Sequence, residues 1–192
     1  MSPRIRAVVK VGGGLSAIAG ELPRVGQSLS TLSGAGVVVV PGGGPFAGAV
    51  RDFDRRYGLP ADAAHWMAIL GMDQYGHAIA AVTPGSVLVE SASEITQALD
   101  SGRVPVLAPY RWLRAADELP HSWEVTSDSL AAYLAGLLGA ERVLLVNPRG
   151  GGLAELTDDY FTRALPMGIR SRCIGAEDLA TGLAWAKGSP AS

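Results

Sequence analysis

The chain has 192 residues, 48% of them hydrophobic and 18% charged, which suits one compact domain with a full core. A net charge of −2 leaves no electrostatic footprint for nucleic acid or an anionic membrane surface. The single cysteine, Cys173, excludes an internal disulfide and a cysteine-built zinc site, and His65, His77 and His121 form no helical pair of metal ligands, so no protein-held metal is expected.

The first predicted element is a strand over about residues 5–11, which empties into Gly12-Gly13-Gly14 and is followed by a helix over about 20–33. This strand carries Lys10 among Val8, Val9 and Val11, although fourteen of the sixteen basic residues are arginine. Two readings of Lys10 stand: its stem is buried and its ammonium snorkels to water, or the ammonium meets a phosphate as a compact point charge. A second strand, 36–40, empties into Gly42-Gly43-Gly44, and helices over 45–57 and 60–82 follow. Then come a strand at 86–90, a helix at 92–100, a strand at 103–108 and an irregular segment at 109–124. A helix at 127–139 begins at Thr126-Ser127-Asp128, where a side-chain oxygen caps free amides and an acid suits the positive helix end. A strand at 142–146, a helix near 158–165, a strand at 169–174 and a helix at 176–186 complete the chain.

Val37–Val40 and Val143–Val146 are continuous apolar runs, the pattern of strands buried on both faces. The expected fold is one α/β domain over residues 1–192, a three-layer α/β/α sandwich around a mostly parallel sheet. No apolar run approaches the roughly 20 residues of a membrane span, and the short run before the first glycines lacks the features of a signal peptide. A cytoplasmic protein without membrane or nucleic-acid partners is expected.

In such a sheet ligands sit at the carboxyl ends of strands, where both glycine triplets fall. Glycine there lets backbone amides approach an anion. Tight turns alone are one reading of the triplets. A dinucleotide fold is another, since Gly12-x-Gly14-x-x-Ala17 fits its pattern, but the second strand ends Val40-Pro41-Gly42 without the acid that holds a ribose. Phosphoryl transfer without a Walker loop is the third. It needs backbone donors, cations and usually Mg²⁺, and Lys10 beside the first loop meets that need.

V-V-K-V-G-G-G-L at 8–15, V-V-V-P-G-G-G-P-F-A at 38–47 and V-T-S-D-S-L-A-A-Y-L at 125–134 together resemble the three signature segments of the amino acid kinase superfamily, the aspartate, glutamate and uridylate kinase group. The length and the segment A-H-W-M-A-I-L-G-M-D-Q-Y-G at 64–76 are most similar to the small aminomethylfuran-methyl phosphate kinases of methanofuran biosynthesis and their bacterial relatives in one-carbon metabolism. The resemblance implies transfer of the γ-phosphate of ATP, with Mg²⁺, to a phosphorylated small molecule, and a dimer or an assembly with a paralogue. It implies catalytic roles for Lys10 and Asp128. It places Gly12, Gly13 and Gly14 on the transferred phosphate and Gly42, Gly43 and Gly44 on the acceptor; Asn147 and Arg149 are further candidates for the nucleotide phosphates, and Asp73 and Ser127 for the acceptor.

Asp73 and His77 lie four apart on one helix face, so Asp73 either binds an aminomethyl cation or is a surface acid that pairs with His77 or faces water. Trp66, Met67 and Leu70 are expected in the core. Asp128 is at once a first-turn acid suited to the helix dipole and, by resemblance, the residue that orients Lys10. The chain departs from the resemblance at Gly14, where the family has serine, and at Asn147-Pro148-Arg149-Gly150, where the family has a D-x-D-G-like loop. It has no second lysine other than Lys187, so Arg149, Arg163 or Arg172 would supply that charge. These departures motivate the alternative of a non-catalytic subunit that keeps the fold and binds a ligand or an active paralogue.

Overall fold

A computed structural model describes residues 4–188. Six strands, β1 (Ala7–Val11), β2 (Val37–Pro41), β3 (Ser86–Val89), β4 (Val104–Leu107), β5 (Arg142–Asn147) and β6 (Arg170–Gly175), form one sheet in the order β3-β4-β2-β1-β5-β6. Every neighbouring pair is parallel, as the unbroken valine runs predicted. The helices are α1 (Glu21–Leu29), α2 (Gly44–Tyr57), α3 (Ala61–Val82), α4 (Ala92–Asp100), α5 (Tyr110–Ala116), α6 (Ser127–Leu137), α7 (Leu153–Leu156), α8 (Phe161–Ala164) and α9 (Leu179–Lys187).

Two cores flank the sheet, which gives the three layers expected. Ala7, Val9 and Val11 of β1 pack with Val25 and Leu29 of α1 and Leu183 of α9. Val8 points the other way, into the core built by Ile95 of α4 and Leu130, Ala131 and Leu134 of α6. Each fully buried valine contributes about 1.5–3 kcal/mol. Strand period two puts Lys10 on the Val8 face, towards α6, with 4% of its surface exposed. Desolvating an ammonium costs several kcal/mol, so Lys10 requires a partner there, and snorkelling to water is ruled out by its burial.

The long helix α3 serves both cores, Ile69 and Met72 on one side and Tyr75 and Ile79 on the other. Its Gly71 packs so closely against α2 that an added Cβ would stand 2.8 Å from the Ala47 nitrogen. Three expectations are corrected. The segment read as irregular contains α5, and the helix expected over 20–33 is α1 followed by a 3-10 turn at Ser30–Leu32. Met67 and Leu70 are not core residues: they are 36% and 43% exposed on the outer face of α3. Trp66 is partly buried and packs against the core as expected.

Candidate active site

The carboxyl ends of β1 and β5 and the first turn of α6 meet around the Lys10 ammonium. Lys10 Nζ lies 2.6 Å from Asp128 Oδ1 and donates to Asn147 Oδ1 at 3.1 Å. Asp128 is 6% exposed, so this ion pair is shielded from solvent screening. The approach to Asp128 is oblique, and Oδ1 receives charge without a directed hydrogen bond. Asn147 is held by its other end, where Nδ2 donates to Cys173 Sγ at 3.4 Å. Because lysine only donates, the Asn147 oxygen must face it. Burial, with the Asp128 charge adding to it, raises the Cys173 pKa, which keeps the thiol neutral at neutral pH.

Asp128 reaches Lys10 because α6 starts where the sequence predicted. Thr126 caps the helix, its hydroxyl accepting the Asp128 N–H at 3.3 Å. Ser127 lines the cavity described below, with its Oγ facing Gly42.

The two glycine loops touch each other. A Cβ on Gly13 would stand 2.5 Å from the Gly44 nitrogen, and one on Gly12 would meet Asn147 Oδ1 and Val146 O, each at 2.7 Å. Gly12 N–H donates to Val146 O and Gly42 N–H to Val11 O, both at 2.8 Å, which pins the loops to the sheet. Gly13 begins a 3-10 turn and Gly44 begins α2 with a positive φ of 57°. First-turn amides have no partner within their own helix, so those of Gly13, Gly14, Gly43 and Gly44 are placed for an anion. Tyr75, 1% exposed, plugs the space beneath, its ring 2.7 Å from where a Gly44 Cβ would stand.

The departure at Gly14 has a physical cause. A Cβ there would stand 2.8 Å from Pro148 Cγ. The proline ring of the altered Asn147-Pro148 loop occupies the volume that a serine side chain would need.

A cavity of about 730 Å³ opens from these loops and runs between α2, α3 and the 121–127 segment. Gly13, Gly14, Gly43, Gly44 and Ser127 form its polar end, and Ala64, Ala68, Ile69, Met72 and Leu130 its apolar wall. At the far end Trp123 Nε1 donates to Asp54 Oδ2 at 2.7 Å, and the Arg51 guanidinium lies 4.6 Å from the Trp123 ring centroid. His121 bridges Asp62 and Asp117, at 2.6 and 2.8 Å, and stacks on His65 at 4.2 Å. Those hydrogen bonds raise the His121 pKa, whereas burial and the neighbouring His121 push His65 down to about 4.

Lys10, Asp128, Asn147, Ser127 and both glycine triplets are thus brought together. Asp73 is not among the residues lining the cavity: its Oδ1 accepts the Tyr110 N–H at 3.0 Å and so holds the start of α5. Burial pushes its pKa up to about 6, against the opposing Tyr110 hydrogen bond. Arg149 is exposed on the loop after β5. Arg163 and Arg172 turn elsewhere, lying 5.9 Å from the Tyr160 ring and 5.1 Å from the Trp185 ring. Among the described residues no group of three or more His, Cys, Asp or Glu gathers to hold a metal ion, and no helix is long and apolar enough to cross a membrane. Sequence reasoning missed Arg51 and Asp54, which no local pattern joins to the site, and also Asp158, an acid beside a turn that touches α6 only in three dimensions.

A model described as the amino acid kinase family matches residues 6–148. Over 145 residues, 75% of this chain, the sequence is 29% identical to a (5-(aminomethyl)furan-3-yl)methyl phosphate kinase of Methanocaldococcus jannaschii, and the match spans 66% of that protein's length. Among solved structures, the uridylate kinase of Archaeoglobus fulgidus has a TM-score of 0.71 at 15% identity, covering 96% of each chain. An isopentenyl phosphate kinase has a TM-score of 0.59 at 17% identity, covering 97% of this chain and 98% of that one. Both likenesses show the fold. The family match ends at Pro148, where the chain's loop departs from the expected pattern.

Proposed function

The chain belongs to the amino acid kinase family, and from that premise we propose that it is a small-molecule kinase moving the γ-phosphoryl group of ATP onto a phosphate monoester. The acceptor is of the furan-methyl phosphate kind, in keeping with the relative named above. The observation that carries this reading is the buried Lys10 ammonium, held by Asp128 and Asn147 beside two mutually touching glycine loops.

The reaction balances simply. An oxygen of the acceptor phosphate forms a bond to the γ-phosphorus, the bond from that phosphorus to the β-bridging oxygen breaks, and ADP and a diphosphate monoester result. A phosphate ester has its second pKa near 6, so at neutral pH roughly nine-tenths of it is the dianion, with no proton to lose. What the transfer needs is charge neutralisation, because two anionic groups must approach each other. Lys10 supplies a cation, and the Gly13, Gly14, Gly43 and Gly44 amides supply fixed donors that do not reorganise during the reaction. Asn147 accepts one N–H of the ammonium and Asp128 holds its charge, which fixes Lys10 beside the glycine loops for the migrating group.

The residues suit a magnesium nucleotide in that, among the described residues, Asp128 is the carboxylate paired with Lys10, and Mg²⁺ characteristically takes one or two carboxylates plus substrate phosphates. When bound, the ion neutralises phosphate charge. Coupled measurement of ADP release with a panel of arylmethyl and furylmethyl phosphates tests the proposal. Acceptor-dependent ADP formation supports it, and ATP binding without any acceptor turnover points to the non-catalytic alternative.

A further inference from the structure

Asp158 lies between the short helices α7 and α8, and its carboxylate gathers four donors from Thr126 and Ser129 at the start of α6. Oδ2 accepts the Thr126 N–H at 3.1 Å, the Thr126 hydroxyl at 2.5 Å and the Ser129 N–H at 3.3 Å. Oδ1 accepts the Ser129 hydroxyl and, at 3.1 Å, the Tyr160 N–H. The Thr126 hydroxyl accepts in turn from the Asp128 N–H at 3.3 Å. A chain of hydrogen bonds therefore runs from the Asp158 carboxylate through Thr126 to the backbone of the residue that holds Lys10.

We infer that Asp158 is a positioning residue, which fixes the first turn of α6 and so sets Asp128 against Lys10. Three physical consequences follow from the geometry. An anion already occupies the positive end of α6, so an incoming phosphate is directed to the glycine amides and not to this helix. The segment after β5 is tied to the helix bearing Asp128, so displacement of that segment is felt at Lys10. A carboxylate with several charge-assisted donors is also rigid, which restricts the range of Asp128 positions.

The effect on turnover rests on the kinase reading above, but the placement of Lys10 does not, and the chain provides a probe for it. Only two lysines are present, Lys10 and Lys187. In protein labelled with ¹³C,¹⁵N-lysine, Asp158→Asn is expected to move the Lys10 side-chain signals in the direction seen for Asp128→Asn, with Lys187 unchanged. Thr126→Val, which removes the middle of the chain, is expected to move them likewise and serves if Asp158→Asn does not fold. Turnover by Asp158→Asn should fall about tenfold or more, with the acceptor KM changed less than about twofold, as for an interaction made only in the transition state. Lys10 signals identical to wild type in a folded Asp158→Asn or Thr126→Val protein overturn the inference, whatever the effect on melting temperature. Absence of turnover in the wild type counts against the kinase reading alone and leaves the Lys10 signals to decide the role of Asp158.

Discussion

Replacing Lys10 by methionine removes the ammonium while keeping an unbranched side chain of similar length. Asp128, 6% exposed, is then left as a buried carboxylate without its cation. Breaking one side of a buried pair costs about 3–5 kcal/mol, a large part of the roughly 5–15 kcal/mol that holds a domain folded. At about 2–4 °C per kcal/mol for a chain of this size, the melting temperature should fall by about 6–20 °C. The loss comes mainly from the stranded charge, so the double variant Lys10→Met/Asp128→Asn should regain about 1–3 kcal/mol relative to the sum of the single changes. Turnover should behave differently. Losing a preorganised donor to the migrating charge costs about 10²–10³-fold in kcat, and the double variant should recover none of it. Urea unfolding of the four proteins of the cycle, with ADP release measured below the transition, checks both parts. Additive stabilities, or a double variant with restored turnover, would refute the reasoning.

Gly13→Ala forces a Cβ to 2.5 Å from the Gly44 nitrogen, a backbone atom that cannot swing away, so the loops must part and turnover should drop at least about 100-fold, as for a lost oxyanion donor. Gly14→Ser alone should impair the enzyme, because its Cβ meets Pro148, whereas Gly14→Ser/Pro148→Ala should recover much of the loss in kcat. Asp73 has its pKa raised in the fold from 3.8 to about 6, so the folded chain binds this proton more tightly than the unfolded chain does. Its ionisation therefore removes stability as pH climbs from about 4 to about 6. Asp73→Asn, which keeps an acceptor for the Tyr110 N–H, should flatten that part of the stability curve and raise the melting temperature at neutral pH with little change in turnover. A selective rise in acceptor KM would instead place Asp73 at the acceptor.

The features that were legible in the sequence are those with local causes. The strands declare themselves by unbroken valine, the loops by glycine, and α6 by Thr126-Ser127-Asp128, whose hydroxyl caps the helix as expected. The helix expected at 92–100 is α4 as observed, since Ser91 accepts the Glu94 N–H at its start. Helix α5 was not legible because Asp73, 37 residues earlier, supplies the acceptor at its first residue. Asp158 escaped for the same reason, being a cap contributed from 32 residues beyond Thr126. Met67 and Leu70 read as core because α3 is apolar on most of its surface, but the two lie three apart on a face that neither core covers, 36% and 43% exposed. The substitution at Gly14 reads as a missing hydroxyl in sequence and as room for Pro148 in space.

The central claim is that Lys10 and the paired glycine loops support transfer of a phosphoryl group between two phosphates. It is tested most directly by ³¹P NMR of the wild-type protein with ATP, Mg²⁺ and a furylmethyl or arylmethyl phosphate. The account predicts loss of the acceptor's single resonance and growth of two mutually coupled diphosphate resonances alongside those of ADP, with no such growth in Lys10→Met. Formation of inorganic phosphate only, or an equal rate of diphosphate formation in folded Lys10→Met, would contradict it.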